Sequence, residues 1–228
     1  MKQSEIDKEL RAIAKVEARK RGWKSVGGMP YWTTGPLFFV LVQSVGAKEG
    51  SFYASLRFKW VELDRALWYV LGMSSNEKEP FSLHANGAFA LTGQEILVVS
   101  KRSIEWLPGI LEQQVRSTIQ QSYERTTEVA SQIRTIGSYL SFIQRQHAAF
   151  MERHPRAVVK VWREALLVAL LTGDATGAAQ IARSRIDAHD SGGFSSGGKS
   201  FYEHALALCE MTPNNSLQAT AAGSASCD

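Results

Sequence analysis

The residue pattern with the most specific chemistry is Gly193–Ser200, which fits the G-x-x-x-x-G-K-[ST] form of a phosphate-binding loop. In such a loop the backbone amides and Lys199 surround nucleotide phosphates, and the Ser200 hydroxyl binds magnesium. That chemistry needs a buried parallel strand leading into the loop. The residues before it, 182–190, are polar and typical of a helix end. We therefore interpret the segment as a connector whose Ser200 caps the last helix, and we expect no nucleotide binding.

Metal-ligating side chains are scattered along the chain. His147 and His154 are seven residues apart, two helical turns instead of the single turn of an i, i+4 metal pair. Cys209 and Cys227 make no metal-binding spacing. His84 and His204 are expected to have structural or solvated roles. The sequence thus predicts neither a metal nor another cofactor.

Catalytic patterns are also missing, since no carboxylate pair, nucleophile elbow or Cys/His set occurs in the sequence. The sequence assigns no catalytic residue and favours a protein that is not an enzyme. An enzyme of unrecognised type, with a site assembled from distant residues, remains a third alternative.

A basic cluster lies at the end of the first predicted helix. Its cations are interleaved with one aromatic residue, a combination suited to single-stranded nucleic acid: Arg19, Lys20, Arg21, Trp23 and Lys24. The same charges also complement the negative end of a helix dipole. Nucleic-acid binding is therefore the second functional hypothesis.

The segment Ser51–Lys59 alternates between apolar and polar residues, as in a half-buried antiparallel strand. One face carries the polar or amphipathic side chains Tyr53, Arg57 and Lys59. Because tyrosine and arginine are enriched at protein interfaces, this face predicts a protein-binding site. Coverage of the same face by C-terminal helices is the alternative.

The elements that position these residues begin with a helix over the first twenty or so residues, with Ile6, Leu10 and Ala14 at helical spacing. Ser4 and Asp7 predict its capping box, and Gly22 predicts its end. Trp23 is expected to fold back onto the last turn.

Strands are predicted next. They are Met29–Thr33, placed at an edge because of Pro30, then Leu37–Ser44, Ser51–Lys59, Phe81–Leu91 and Ile96–Val99, with a helix at Glu62–Leu71. A helix that begins within Gln94–Val99 is the alternative to the last of these strands.

From about Leu107 the apolar residues recur in steps of three and four. This spacing predicts one long helix, or two meeting near Gly137, ended by Pro155. Helices follow at Arg156–Thr172, after Asp174 and at Ser200–Met211. We expect the long helix to pack against Val158–Leu171 in the same chain. A homodimer is the alternative to this monomer.

These elements predict an α+β fold, an antiparallel sheet of four or five strands packed by helices and followed by a helical C-terminal region. We expect an α+β domain at 1–106, a helical region at 107–211 and a disordered tail at 212–228.

Three segments carry a family resemblance: Gly22-Trp23-Lys24, Gln43-Ser44 and the aromatic-rich run Gly50–Leu56. They resemble a bacterial family known as the domain of unknown function numbered 4304. The resemblance covers about the first half of the chain and implies a fold without an activity. Ser55 and Arg57 stand where that pattern has asparagine and glycine.

The segment Thr212–Ala222 resembles the read-through of a recombination site at the end of an integron gene cassette. It suggests a mobile bacterial gene. The 228-residue chain has a net charge of only +4, which does not by itself indicate nucleic acid. The polar first ten residues and the two cysteines favour the cytoplasm. The preferred hypothesis is a non-enzymatic cytoplasmic module, accessory or immunity-like, that binds an unidentified protein.

Overall fold

The computed structural model describes residues 2–86, 89–107, 109–153 and 161–211. The chain forms two compact units. The sheet unit comprises Met1–Val61 and Pro80–Gln132, and the helical unit comprises Glu62–Glu79 and the residues from Ile133 onward. The predicted α+β class with an antiparallel sheet is confirmed. The units differ from the predicted division at residue 106, because each is built from two separate stretches of the chain. The tail predicted at 212–228 lies outside the described residues.

The sheet has five antiparallel strands in chain order. They are β1 (Lys24–Val26), β2 (Met29–Thr34), β3 (Leu37–Gly46), β4 (Ser51–Trp60) and β5 (Gln94–Lys101). The edge position predicted for β2 is wrong, because β1 pairs with it and Pro30 lies opposite Ser25. The Gly27-Gly28 turn that joins these two strands is a hairpin signal in the sequence.

One side of the sheet packs against helices α1 (Gln3–Arg19) and α4 (Ile110–Gln132). Its strands contribute a continuous buried layer: Phe39, Leu41, Phe52, Leu56 and Phe58. Helix α1 is capped differently from the prediction. The Glu5 carboxylate accepts a hydrogen bond from the Lys2 amide at 2.9 Å, so the capping box predicted at Ser4 and Asp7 is wrong.

The other side of the sheet is partly covered by the segment after Pro80. This segment contains a short helix, α3 (Leu83–Asn86), so the strand predicted at Phe81–Leu91 is wrong. The backbone turns at once, since the Leu83 and His84 amides bond to the carbonyls of Pro80 and Phe81. Phe81 and His84 then both reach the Phe38 ring, with centroids 5.7 and 6.0 Å away.

The helical stretch after Leu107 is interrupted between Gln132 and Ile136, where α5 (Ile136–Arg153) begins. The stretch is therefore two helices, and Thr135 caps the start of the second. Its hydroxyl accepts a hydrogen bond from the Ser138 amide at 3.1 Å, which is N-cap geometry. Pro155, the predicted stop, lies outside the described residues.

The helical unit contains α2 (Glu62–Val70), a 3-10 turn (Ser74–Lys78), α5, α6 (Val161–Leu171), α7 (Ala175–Asp187) and α8 (Phe201–Met211). Helix α5 packs on α6, and the Tyr139 hydroxyl donates to the Glu164 carboxylate. The predicted pairing of these segments within one chain is confirmed. The homodimer alternative remains a prediction. Asp174 caps α7 through the Gly177 amide at 2.8 Å, as expected.

Arg163 of α6 is buried inside the helical unit, with 5% of its surface exposed. Its guanidinium donates to the Gly192 carbonyl at 2.6 Å and lies 4.8 Å from the Phe194 ring centroid. Burial lowers the pKa of Arg163, and the nearby Glu164, Tyr202 and Asp190 oppose that shift. The side chain therefore anchors the loop before α8 from within the core.

No helix in the described part of the chain combines the length and the apolar character that a membrane crossing requires.

Candidate functional site

The phosphate-loop pattern Gly193–Ser200 folds as a small hairpin. Strands β6 (Ser195–Ser196) and β7 (Lys199–Ser200) pair antiparallel around a Gly197-Gly198 turn. Helix α7 precedes this hairpin, where a nucleotide site would need a parallel strand. Ser200 and Glu203 form a capping box at the start of α8 through bonds of 3.3 and 2.7 Å. The predicted connector with a capping serine is confirmed.

Magnesium-ATP or magnesium-GTP is expected to leave the melting temperature unchanged. A nucleotide at about 100 times its dissociation constant would add about 2.7 kcal/mol to the free energy of unfolding, an effect that differential scanning fluorimetry detects. Because Lys199 is exposed on a hairpin strand, Lys199→Ala should behave like the unmodified protein. A saturable nucleotide-dependent stabilisation that Lys199→Ala removes would contradict this prediction.

Two of the histidines in the described residues, His84 and His204, have structural surroundings. His84 is buried, with its ring centroid 4.7 Å from that of Phe81. The ring Nε2 of His204 lies 2.8 Å from the Ser196 carbonyl and ties α8 to β6. Within the described ranges, no group of three histidine, cysteine or acidic side chains is placed to hold a metal ion. His154 lies outside those ranges.

The part of the sheet left uncovered by the segment after Pro80 carries the predicted protein-binding residues Tyr53 and Arg57. We call this surface the open sheet face; its members are Val42, Tyr53, Arg57, Glu95 and Val98, which lie on one side of adjacent strands. Val98 is 50% exposed, and Val42 and Tyr53 are half-buried. The face therefore combines accessible apolar surface with polar side chains on a rigid sheet.

Glu95 organises the polar residues of the open sheet face. One carboxylate oxygen accepts hydrogen bonds from Ser55, Arg57 and Tyr53 at 2.7, 3.0 and 3.2 Å. Partial burial disfavours the charged form of Glu95, but these hydrogen bonds outweigh it and lower the pKa of the carboxyl group. Tyr53 and Arg57 are thus held in fixed positions before any partner arrives.

Lys59 was predicted to share this surface, and the structure corrects that prediction. The side chain is only 2% exposed, its ammonium group donates to the Leu91 carbonyl at 2.7 Å, and it lies over the Phe38 ring. Strand alternation places Lys59 on the correct side of the sheet. It does not reveal that the segment after Pro80 closes over this end of the strand.

The residues of the basic cluster predicted to bind nucleic acid have different surroundings in the structure. Arg19 and Lys24 are exposed, as that hypothesis needs. Trp23 is buried, with its amide bonded to the Ala18 carbonyl at 3.1 Å, so its ring is not available for base stacking. The expected folding back of Trp23 onto α1 is confirmed, and its proposed stacking role is wrong.

Lys20 and Arg21 are committed to a network around Glu17, a buried carboxylate of α1. The Lys20 ammonium lies 2.6 Å from the Glu17 carboxylate, and Arg21 and Arg116 lie 3.7 and 3.5 Å away. The hydrogen bond from Lys20 lowers the pKa of Glu17, which burial alone would raise. Arg21 also donates to Gln120 of α4 at 2.7 Å, so these cations join α1 to α4.

A row of four cations lies along the outer side of α1, and only Arg19 of this row belongs to the basic cluster predicted from the sequence. Lys8, Arg11, Lys15 and Arg19 are all exposed. At 3.6 residues per turn they fall within an arc of roughly 80° around the helix axis. Their spacing of three, four and four residues was the available signal. A search for runs of neighbouring basic residues does not find this row, because its members are three or four positions apart.

The likeness to the family of unknown function numbered 4304 gains no support from known proteins. A scan of protein-family models, a search of curated proteins and a search of solved structures each find no match to this chain.

Proposed function

We propose that this chain is a non-enzymatic cytoplasmic module that binds another protein through the open sheet face. The observation that carries the proposal is the exposed apolar surface of Val98 beside Tyr53 and Arg57, which Glu95 holds in place. Side chains that are already ordered lose little conformational entropy on binding, so more of the contact energy appears as affinity.

The tail segment Thr212–Ala222 suggests the kind of partner protein, whereas the open sheet face does not identify it. A chain carried on a mobile cassette would have an accessory or immunity-like role, with a bacterial protein as its target. The buried free thiol of Cys209 is compatible with a reducing compartment. The resemblance to the family of unknown function numbered 4304 remains part of this proposal.

Replacement of Val98 by aspartate is expected to weaken partner binding by more than tenfold, since a central interface residue contributes about 2 kcal/mol or more. The matched control is Val16→Asp on α1, where the original valine is 56% exposed. Proteins captured from a bacterial lysate by the unmodified chain are compared by mass spectrometry with those captured by each variant. The dissociation constant is then measured with the purified partner. Equal affinity for Val98→Asp and the unmodified chain would contradict the proposed surface.

A further inference from the structure

The outer side of α1 presents a row of four exposed cations. We call the row Lys8, Arg11, Lys15 and Arg19 the α1 ridge. No hydrogen bond or ion pair joins these four side chains to another residue in the parts of the chain that the structure describes. This contrasts with Lys20, Arg21 and Arg116, which converge on Glu17.

The four acidic residues of α1, Glu5, Asp7, Glu9 and Glu17, fall outside the arc of the ridge at 3.6 residues per turn, and Glu5, Asp7 and Glu9 flank its first turn. Glu17 projects from the opposite side of the helix and is buried. Glu5 caps the first turn, and Asp7 accepts a hydrogen bond from Gln3 at 2.9 Å. With a rise of 1.5 Å per residue, the ridge is a straight row of cations roughly 16 Å long.

The ridge is also firmly supported. Ile6, Leu10, Ala14 and Ala18, on the inner side of α1, are buried against the sheet unit. The aliphatic part of Arg11 lies against Gly28, so closely that a Cβ at Gly28 would come within 2.6 Å of the Arg11 Cγ. The cations therefore stand on a rigid element with a fixed spacing.

We infer that the α1 ridge binds the phosphate backbone of duplex DNA without reading its sequence. A row of cations on one side of a rigid helix complements the edge of a B-form duplex, whose two strands together carry one negative charge per roughly 1.7 Å of axis. The burial of Trp23 removes the aromatic platform that single-strand binding would use. Backbone contacts position a protein on the duplex and carry no direct sequence information. This surface is separate from the open sheet face, so either proposal can fail without the other.

The test is the salt dependence of binding to a fluorescent duplex of about 20 base pairs, followed by anisotropy. If the four ridge cations each contact a phosphate, the slope of log K against log salt is about −3.6. The double variant Lys8→Gln/Lys15→Gln should reduce the slope to about −1.8 and weaken binding at least tenfold at low salt. Glutamine supports a helix nearly as well as lysine, and circular dichroism checks the fold.

The control has the same net charge as the ridge variant. Lys48→Gln/Lys78→Gln removes two exposed lysines that are not part of α1 and should keep both the affinity and the slope of the unmodified chain. An equal loss of binding in the control would overturn the inference, because bulk charge would then explain the attraction. No detectable binding by the unmodified chain at about 50 mM salt would also overturn it. So would equal competition by poly-glutamate at matched charge, which would indicate an acidic protein as the ligand.

Discussion

Replacement of Arg163 by alanine is expected to lower the free energy of unfolding of the helical unit by about 3–5 kcal/mol. The variant leaves the Gly192 carbonyl without the donor at 2.6 Å and removes the cation over the Phe194 ring. It also removes a positive charge that interacts favourably with the buried Glu164 carboxylate. Urea denaturation followed by circular dichroism measures the change.

Arg183 offers a control in the same unit. Its side chain is 59% exposed and forms an ion pair with Glu210 at 3.2 Å. Because exposed pairs contribute little, Arg183→Ala should cost no more than about 1 kcal/mol. Similar losses for the two variants would show that Arg163 does not anchor the loop in the way described.

Replacement of Gly50 by alanine is expected to destabilise the sheet unit by about 2–5 kcal/mol, the sum of a left-handed backbone cost and a steric clash. Gly50 has a φ of +56°, and a Cβ there would lie 2.3 Å from the carbonyl oxygen of Ile104. The same two residues are joined by a 2.7 Å backbone hydrogen bond from the Ile104 amide, so the clash cannot be relieved without loss of that bond.

Gly35→Ala is the control that separates the backbone cost from the cost of the steric clash. Its φ of +52° is similar, but a Cβ there would meet no atom within 4 Å. Gly35→Ala should therefore show only the backbone cost, about 1–2 kcal/mol or less. The two free energies of unfolding are compared by urea titration. A Gly50→Ala variant no less stable than Gly35→Ala would contradict the predicted clash.

Most of the sheet was predictable because its signals are local. Strands β3 and β4 are long apolar or alternating runs, and the short loop 47–50 joins them. The alternation at Phe81–Leu91 is misleading, because Leu83–Asn86 form a short helix and Phe81 and Phe89 are 42% and 37% exposed. Pro80 and the helical hydrogen bonds after it favour the turn.

The candidate sites were less predictable because exposure depends on distant parts of the chain. Tyr53 and Arg57 have accessible surface, but Lys59, two residues further on, is closed off by Leu91. Glu95, which fixes Tyr53 and Arg57, lies on a strand some forty residues away in sequence. The α1 ridge, in contrast, depends only on helix geometry and could have been found from the sequence.

The interleaved order of the two units has a consequence during synthesis on the ribosome. Helix α2 emerges directly after β4, yet its buried face, including Leu67 and Trp68, packs against α6 and α8 of the helical unit. About 100 further residues must be translated before α6 is complete, which takes roughly 5–20 s at typical elongation rates. The nascent chain therefore carries an uncovered tryptophan-containing helix while the sheet unit is already assembling. Chaperone binding during translation should concentrate at α2.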